Sequence, residues 1–199
     1  MKVECMLVGR PGSGRSSLLT ALLRSWGCRS LPVTTWFPGG TPSRWRLRLP
    51  DEERKLQRLR PPAGFLAVEL AAPQLGLPGR RWTLVETPGI EEEVADDPAA
   101  RQGMAEALGR LLATDLVIHV VDGAATGERG EVSAPDMALW RLGCQRPRYL
   151  SVVSRMDCAS SAAGLALVRQ MDPGLAPVAT SAWTGQGIRQ LRSLLAARP

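Results

Sequence analysis

The stretch that most narrowly limits what this 199-residue chain can fold into is Gly9-Arg10-Pro11-Gly12-Ser13-Gly14-Arg15-Ser16. The apolar run Val3-Glu4-Cys5-Met6-Leu7-Val8 stands directly before it, and the helical pattern Ser17-Leu18-Leu19-Thr20-Ala21-Leu22-Leu23 directly after. Strand, glycine-rich loop and helix in that order make a cradle for phosphate. The glycines let successive N–H groups turn inward around an anion, and the helix offers its positive end. Ser16 stands where a hydroxyl ligates Mg²⁺, and Ser17 follows it into the helix. Position 15, where such loops carry lysine, is Arg15: a wide planar fork in place of a compact ammonium. A tight turn with no ligand is the bland alternative, so the rest of the chain has to decide.

Three more runs and one residue pair follow in sequence. Trp82-Thr83-Leu84-Val85-Glu86-Thr87-Pro88-Gly89 is a β-rich run closing on an acid, two residues and a glycine. Leu150-Ser151-Val152-Val153-Ser154-Arg155-Met156-Asp157 sets Ser-Arg-x-Asp at the end of an apolar strand. Pro177-Val178-Ala179-Thr180-Ser181-Ala182-Trp183-Thr184-Gly185-Gln186-Gly187-Ile188 leads into a last amphipathic helix carrying Leu191, Leu194 and Leu195 on one side. Between the glycine loop and Glu86, the pair Thr34-Thr35 follows Ser16 by a helix and a short loop.

In order and spacing these runs resemble the small GTPases of the translation-factor-related class, most closely the Era and TrmE branch. The loop of that branch also opens Gly-Arg-Pro, and its last motif also reads Ser-Ala-x-x-Gly-x-Gly. The resemblance spans nearly the whole chain and implies a P-loop NTPase fold, the G domain, with GTP or GDP and Mg²⁺ as ligands. It implies that residues 9–17 hold the phosphates, with Arg15 neutralising them. Ser16 and one of Thr34 or Thr35 ligate the metal, while Glu86 steadies its water, one methylene longer than the usual Asp. The Gly89 N–H meets the γ-phosphate. Asp157 accepts from the N1–H and N2–H₂ edge of guanine, which adenine cannot offer. Ser154 replaces part of an Asn amide, the stem of Arg155 lies over the ring, and Ser181-Ala182 presents a backbone N–H to O6. Arg15, Thr35 and Gly89 are the catalytic candidates. Ile90 follows Gly89 where Ras-like enzymes carry a glutamine that orients water, so slow or partner-dependent hydrolysis is expected.

The remaining sequence bounds the organisation. With 44% hydrophobic and 22% charged residues, 199 residues can bury one good core, and a single domain is expected. Strands are expected at 3–8, about 65–71, about 81–86, 116–122, 148–154 and 176–181. Helices are expected at 15–26, about 96–113, about 134–143, about 160–171 and 187–197. That alternation implies an α/β fold, a mostly parallel sheet flanked by helices on both faces, with ligands at the carboxyl ends of its strands. Asp97-Pro98 reads as the start of the second helix. The stretch from about 39 to 64 reads as an insertion. It holds Arg44-Trp45-Arg46-Leu47-Arg48 and then Asp51 to Arg60, a piece acidic first and basic last that suits a short solvated helix.

Charge and single residues add little more. The net charge of +6 and pI near 9.9 permit attraction to RNA, the ribosome or anionic lipid. Neither a membrane-spanning run nor a signal-type N-terminus is visible, so a cytoplasmic protein is expected. Cys5, Cys28, Cys144 and Cys158 lack metal-site spacing and read as reduced thiols, with Cys5 buried. His119, inside Leu116 to Asp122, reads as a core or helix-facing histidine. The six tryptophans read as core or interface, not as a base-stacking platform.

Three functions from different classes are compatible with these residues. The first is a GTP/GDP switch and weak GTPase, the nucleotides ordering segments 34–64 and 87–97 differently for a protein effector or activator. The second is a pseudo-GTPase interaction module without turnover. The third is a P-loop small-molecule kinase, disfavoured because it has no need of Asp157 or Ser181-Ala182.

Overall fold

The structure is a computed structural model, and it describes residues 2–49, 63–71, 81–93, 96–144, 148–171, 174 and 176–197. Eight strands form one sheet: β1 (Lys2–Val8), β2 (Ser30–Trp36), β3 (Ser43–Arg48), β4 (Phe65–Ala71), β5 (Arg81–Glu86), β6 (Leu116–Asp122), β7 (Tyr149–Ser154) and β8 (Val178–Ala179). Their spatial order is β3-β2-β4-β5-β1-β6-β7-β8. The helices among the described residues are α1 (Arg15–Ser25), α2 (Pro98–Ala113), α3 (Gly123–Arg129), α4 (Ala134–Gly143), α5 (Ser161–Met171) and α6 (Ile188–Ala197).

The half of the sheet from β5 through β1, β6 and β7 to β8 is parallel. The other half is antiparallel, with β4 against β5 and a β2–β3 hairpin added outside it. The α/β architecture expected from the sequence is what the chain adopts. Expected and observed differ in detail. The last strand, expected over 176–181, pairs only at Val178–Ala179. Strands β2 and β3 and helix α3 are not among the expected elements. Within the supposed insertion, residues 43–48 form β3, while the short helix expected over 51–60 lies outside the described residues.

The core explains the layering. On one face α1 and α6 bury Leu18, Leu19, Leu22, Leu23, Leu191 and Leu195 against Val3, Cys5, Leu7, Leu84, Ile118 and Val120. On the other, α2 and α4 bring Ala107, Leu111 and Leu139 onto Met6, Val8, Val85 and Val117. Each fully buried leucine here contributes about 1.5–3 kcal/mol. Burial also pushes the Cys5 thiol up, with the charge of Glu4 adding to it, so this thiol stays protonated and inert. The parallel strands β5, β1, β6 and β7 all end on one rim, and the loops leaving that rim carry the sequence motifs.

Candidate functional site

Helix capping separates α1 from its neighbours. Asp97 caps α2 by accepting from the N–H groups of Ala99 and Ala100, as Asp97-Pro98 implied. Asp122 caps α3 and Ser133 caps α4 in the same way. The N-cap of α1 is Gly14 at φ 91°, which makes no side-chain capping bond. The first turn of α1 therefore presents backbone donors toward the glycine loop.

That loop is packed tightly. A Cβ at Gly9 would lie 2.3 Å from the carbonyl oxygen of Val120, and one at Gly89 would lie 2.5 Å from Cγ of Pro11. Only glycine fits at either point. The Ile90 N–H donates to the Gly9 carbonyl at 3.1 Å and the Ser154 hydroxyl donates to the Ser13 carbonyl at 2.7 Å. The guanidinium of Arg155 donates to the Gly12 carbonyl at 2.9 Å and pairs with Asp122 at 3.0 Å. Thus the 9–16 loop touches both the Glu86–Gly89 segment and the Ser154–Asp157 segment, as one site requires. Arg10 and Pro11 stand at its turn, with Ser17, the third residue of α1, beside the cavity.

Arg15 and Ser16 both turn toward β5. Arg15 is 3% exposed, and its Nη1 donates to the carbonyls of Thr87 at 2.8 Å and Pro88 at 2.7 Å. Its charge is thereby seated on the Glu86–Gly89 segment. The Ser16 hydroxyl donates to Glu86 Oε1 at 2.5 Å, with Glu86 1% exposed. A hydroxyl and a carboxylate side by side are the hard oxygen donors that Mg²⁺ takes, completed by water and phosphate, so this pair fits that ion.

The threonine pair does not come out as a loop. Thr34 and Thr35 lie inside β2, opposite Arg44 and Ser43 on one side and Ala67 and Leu66 on the other. The first residues of the segment 34–64 thus belong to a paired strand, and the alternation of a strand separates the two side chains. Thr35 shares a cross-strand row with Leu66 and Glu86 and hence their face, whereas Thr34 points to the other. Two strand spacings, roughly 10 Å, still separate the Cα atoms of Thr35 and Glu86. The nearby loop on the same rim is Phe37-Pro38-Gly39-Gly40-Thr41-Pro42, and its exposed Thr41 is not among the sequence candidates. The signal that could have found it is a threonine directly behind a Pro-Gly-Gly turn.

At the other end of the rim a cavity of about 410 Å³ opens beside α1. Its lining includes Gly14, Ser17, Ser154, Arg155, Asp157, Ala182 and Trp183, uniting residues from three separate motifs. A hydrogen bond from the Ser181 side chain, then a backbone hydrogen bond and the charge of Arg155, hold the Asp157 carboxyl below the usual carboxylate range. Asp157 therefore stands at the mouth as an ionised acceptor. Asp122, which fixes Arg155, and Trp183, 89% exposed, are site residues that the motifs do not single out. Trp183 stands outside the core, on the cavity wall, a place that the scatter of tryptophans along the sequence does not reveal.

His119 is 1% exposed in mid-β6 and faces α4, as its place in the strand implied. Its Nδ1 meets the Tyr149 hydroxyl at 2.6 Å and its Nε2 meets Asp136 at 3.0 Å, while Ser133 donates to the same carboxylate at 2.6 Å. This chain of polar groups is buried and contributes nothing to the cavity lining.

Comparison with solved structures shows the same fold. An Era variant from Aquifex aeolicus bound to GDP.AlF4− superposes with a TM-score of 0.60 at 15% identity, covering 99% of this chain and 56% of that one. This chain thus spans little more than half the length of that Era. The G domain of the T. maritima FeoB iron transporter gives 0.59 at 19% identity, covering 99% of both chains. The FeoB G domain of Methanococcus jannaschii gives 0.56 at 17%, covering 99% of this chain and 97% of that one. No curated protein matches the sequence. The family model for 50S ribosome-binding GTPases matches residues 4–154, which include the glycine loop, the Glu86–Gly89 segment and β7 as far as Ser154. With the loop, the rim and the cavity arranged as they are, the chain belongs to the 50S ribosome-binding GTPase family.

Proposed function

We propose that this protein binds GTP and GDP with Mg²⁺ at the rim site and acts as a switch with slow or partner-dependent hydrolysis. The observation that carries the reading is the convergence of residues 9–17, 86–89, 154–157 and 181–182 on one continuous site. Each takes a role its position supports. The backbone N–H groups of the loop and the first turn of α1 bind the phosphates, with Arg15 adding charge. Ser16 and Glu86 would hold Mg²⁺, which when bound neutralises charge on the β- and γ-phosphates. Asp157 accepts from the guanine edge, the Ala182 N–H donates to O6, and the Arg155 stem is held in place by Gly12 and Asp122. Of the threonines, Thr35 faces the metal side, and Thr41 in the loop beyond it can approach without unpairing a strand.

Hydrolysis is slow in this reading because the residue directly after Gly89 is not polar. Ile90 is 7% exposed and packs with Val85 and Phe65, so water near the γ-phosphate must be oriented by something else. A protein activator is one source. The name of the family and an Era neighbour solved with 16S ribosomal RNA suggest RNA or the ribosome as partners. A cytoplasmic setting suits this role. Among the described residues no helix is long and apolar enough to cross a membrane.

The test is a titration of nucleotide-stripped protein with fluorescent GDP and GTP analogues in Mg²⁺, competed with ATP, alongside Asp157→Asn with xanthosine nucleotides. Binding that ATP leaves in place and that Asp157→Asn redirects to xanthosine is the expected result. Folded protein that binds neither GDP nor GTP at high micromolar concentration would overturn the reading and leave a non-catalytic interaction module.

A further inference from the structure

Trp183 is the most exposed of the described large apolar side chains, and it stands on the wall of the 410 Å³ cavity. An indole normally removes about 150–250 Å² from water when it packs, and this one stands open beside a concave site. Its backbone is held by a closed turn. The Ser181 N–H donates to the Gln186 carbonyl at 3.0 Å, the Gly185 N–H returns to the Ser181 carbonyl at 2.9 Å, and the Ser181 hydroxyl accepts from the Thr184 N–H at 3.1 Å. The indole is thus presented from a fixed loop.

The chemistry around it identifies the partner. Trp183 is the single aromatic ring in the cavity lining, where the charged groups are Arg24, Arg155 and Asp157 and the rest are small, polar or aliphatic. Arg155 lies at φ 59°, the only described non-glycine residue with positive φ, and its guanidinium is pinned by Gly12 and Asp122. Strain of that kind is maintained where the surroundings over-determine it. Asp157 and Ala182 address the edge of a planar heterocycle and leave both its faces to be covered. A π-face is the surface an indole covers best.

We propose that Trp183 is a cover for the purine base, stacking on the guanine ring whose edge Asp157 and Ala182 bind. The proposal rests on the nucleotide reading above and adds to it a residue on which affinity depends. Base–aromatic stacking of this kind predicts that Trp183→Ala weakens GDP binding roughly 5- to 150-fold. Inorganic pyrophosphate, which lacks the base, should bind both proteins alike.

The experiment compares wild type, Trp183→Ala and Trp183→Phe for GDP by calorimetry and for pyrophosphate by competition, with iodide quenching of tryptophan fluorescence with and without GDP. The iodide-accessible emission of Trp183 is assigned by difference from Trp183→Phe. The expected results are weakened GDP binding in Trp183→Ala, recovery in Trp183→Phe, unchanged pyrophosphate binding, and protection of the wild-type indole by GDP. Equal GDP affinity in Trp183→Ala, or an indole that iodide reaches equally in the GDP complex, would overturn the proposal. Nucleotide binding would survive that result, and Trp183 would become an anchor for a protein or a second copy of this chain. Wild type that binds pyrophosphate but not GDP would overturn both readings.

Discussion

Arg15 illustrates how one substitution redistributes work within a phosphate loop. Its guanidinium, buried at 3% exposure, braces the Thr87 and Pro88 carbonyls and so ties α1 to the segment that follows β5. Arg15→Lys, whose ammonium is compact and better shaped for phosphates, should bind GDP more tightly while losing about 1–3 kcal/mol of stability from the carbonyl contacts. Paired nucleotide titration and thermal denaturation would check both halves; weaker GDP binding would contradict it. Asp157 supports a second prediction. Ser181 holds its carboxyl low, so the ionised acceptor persists as pH falls through the ordinary carboxylate range and is lost only below it. Ser181→Ala should move the acid limb of GDP binding to higher pH, measurable from Kd against pH. The positions of Asp157 and Ser16 on one rim were legible because motif spacing alone carries them. Trp183 was not, since a tryptophan in a polar loop has no periodicity to reveal which surface it joins.

At the scale of elements, the hairpin β2–β3 shows what a sequence pattern conceals. Ser30-Leu31-Pro32-Val33-Thr34-Thr35-Trp36 contains a proline, which argues against a strand with neighbours on both sides. The register resolves this: β4 pairs only from Val33 to Trp36, so Pro32 lies just beyond that ladder. Helix α3 is hidden because Gly123 and Gly127 read as breakers, yet both are needed for packing. A Cβ at Gly127 would sit 1.9 Å from the Ser160 carbonyl oxygen, and one at Gly164 in α5 would sit 2.0 Å from that of Gly123. Gly164→Ala should therefore destabilise by about 2 kcal/mol or more, since neither backbone can retreat without repacking. Gly109, exposed in α2 with nothing within 4 Å of an added Cβ, provides the contrast. Gly109→Ala should stabilise by about 0.5–1 kcal/mol. Chemical denaturation of the two variants would separate packing from propensity.

Across the whole molecule, His119, Asp136, Tyr149 and Ser133 bind β6, β7 and α4 through a buried polar chain. Burial pushes the Asp136 carboxyl up, but the hydrogen bond and charge of His119, with Ser133 and Arg10, outweigh it and leave the group below its ordinary value. A depressed folded pKa means stabilisation that is complete above the unfolded value of 3.8 and is lost as pH falls through the folded value beneath it. Asp136→Asn should lower stability by about 1–3 kcal/mol near neutrality and shrink that difference in strong acid, as urea unfolding at several pH values would show. The α/β class and the site rim were legible from alternating strands and loop motifs, because local order and motif order coincide along this chain. The antiparallel half was less so, since its pairing joins residues that no local pattern relates.

The two-residue strand β8 has a kinetic meaning. Val178–Ala179 is an edge strand and the shortest member of the sheet, yet the loops bearing Asp157 and Ala182 are joined beside it by the bonds from Thr180 to Val153 and from Met156 to Thr180. Short edge pairings open at a small fraction of the global unfolding free energy, whereas the glycine loop hangs from the fully paired β1 at the centre. A bound nucleotide should accordingly leave base first, with amide exchange around Thr180 setting the pace of release and exchange along β1 remaining slow throughout.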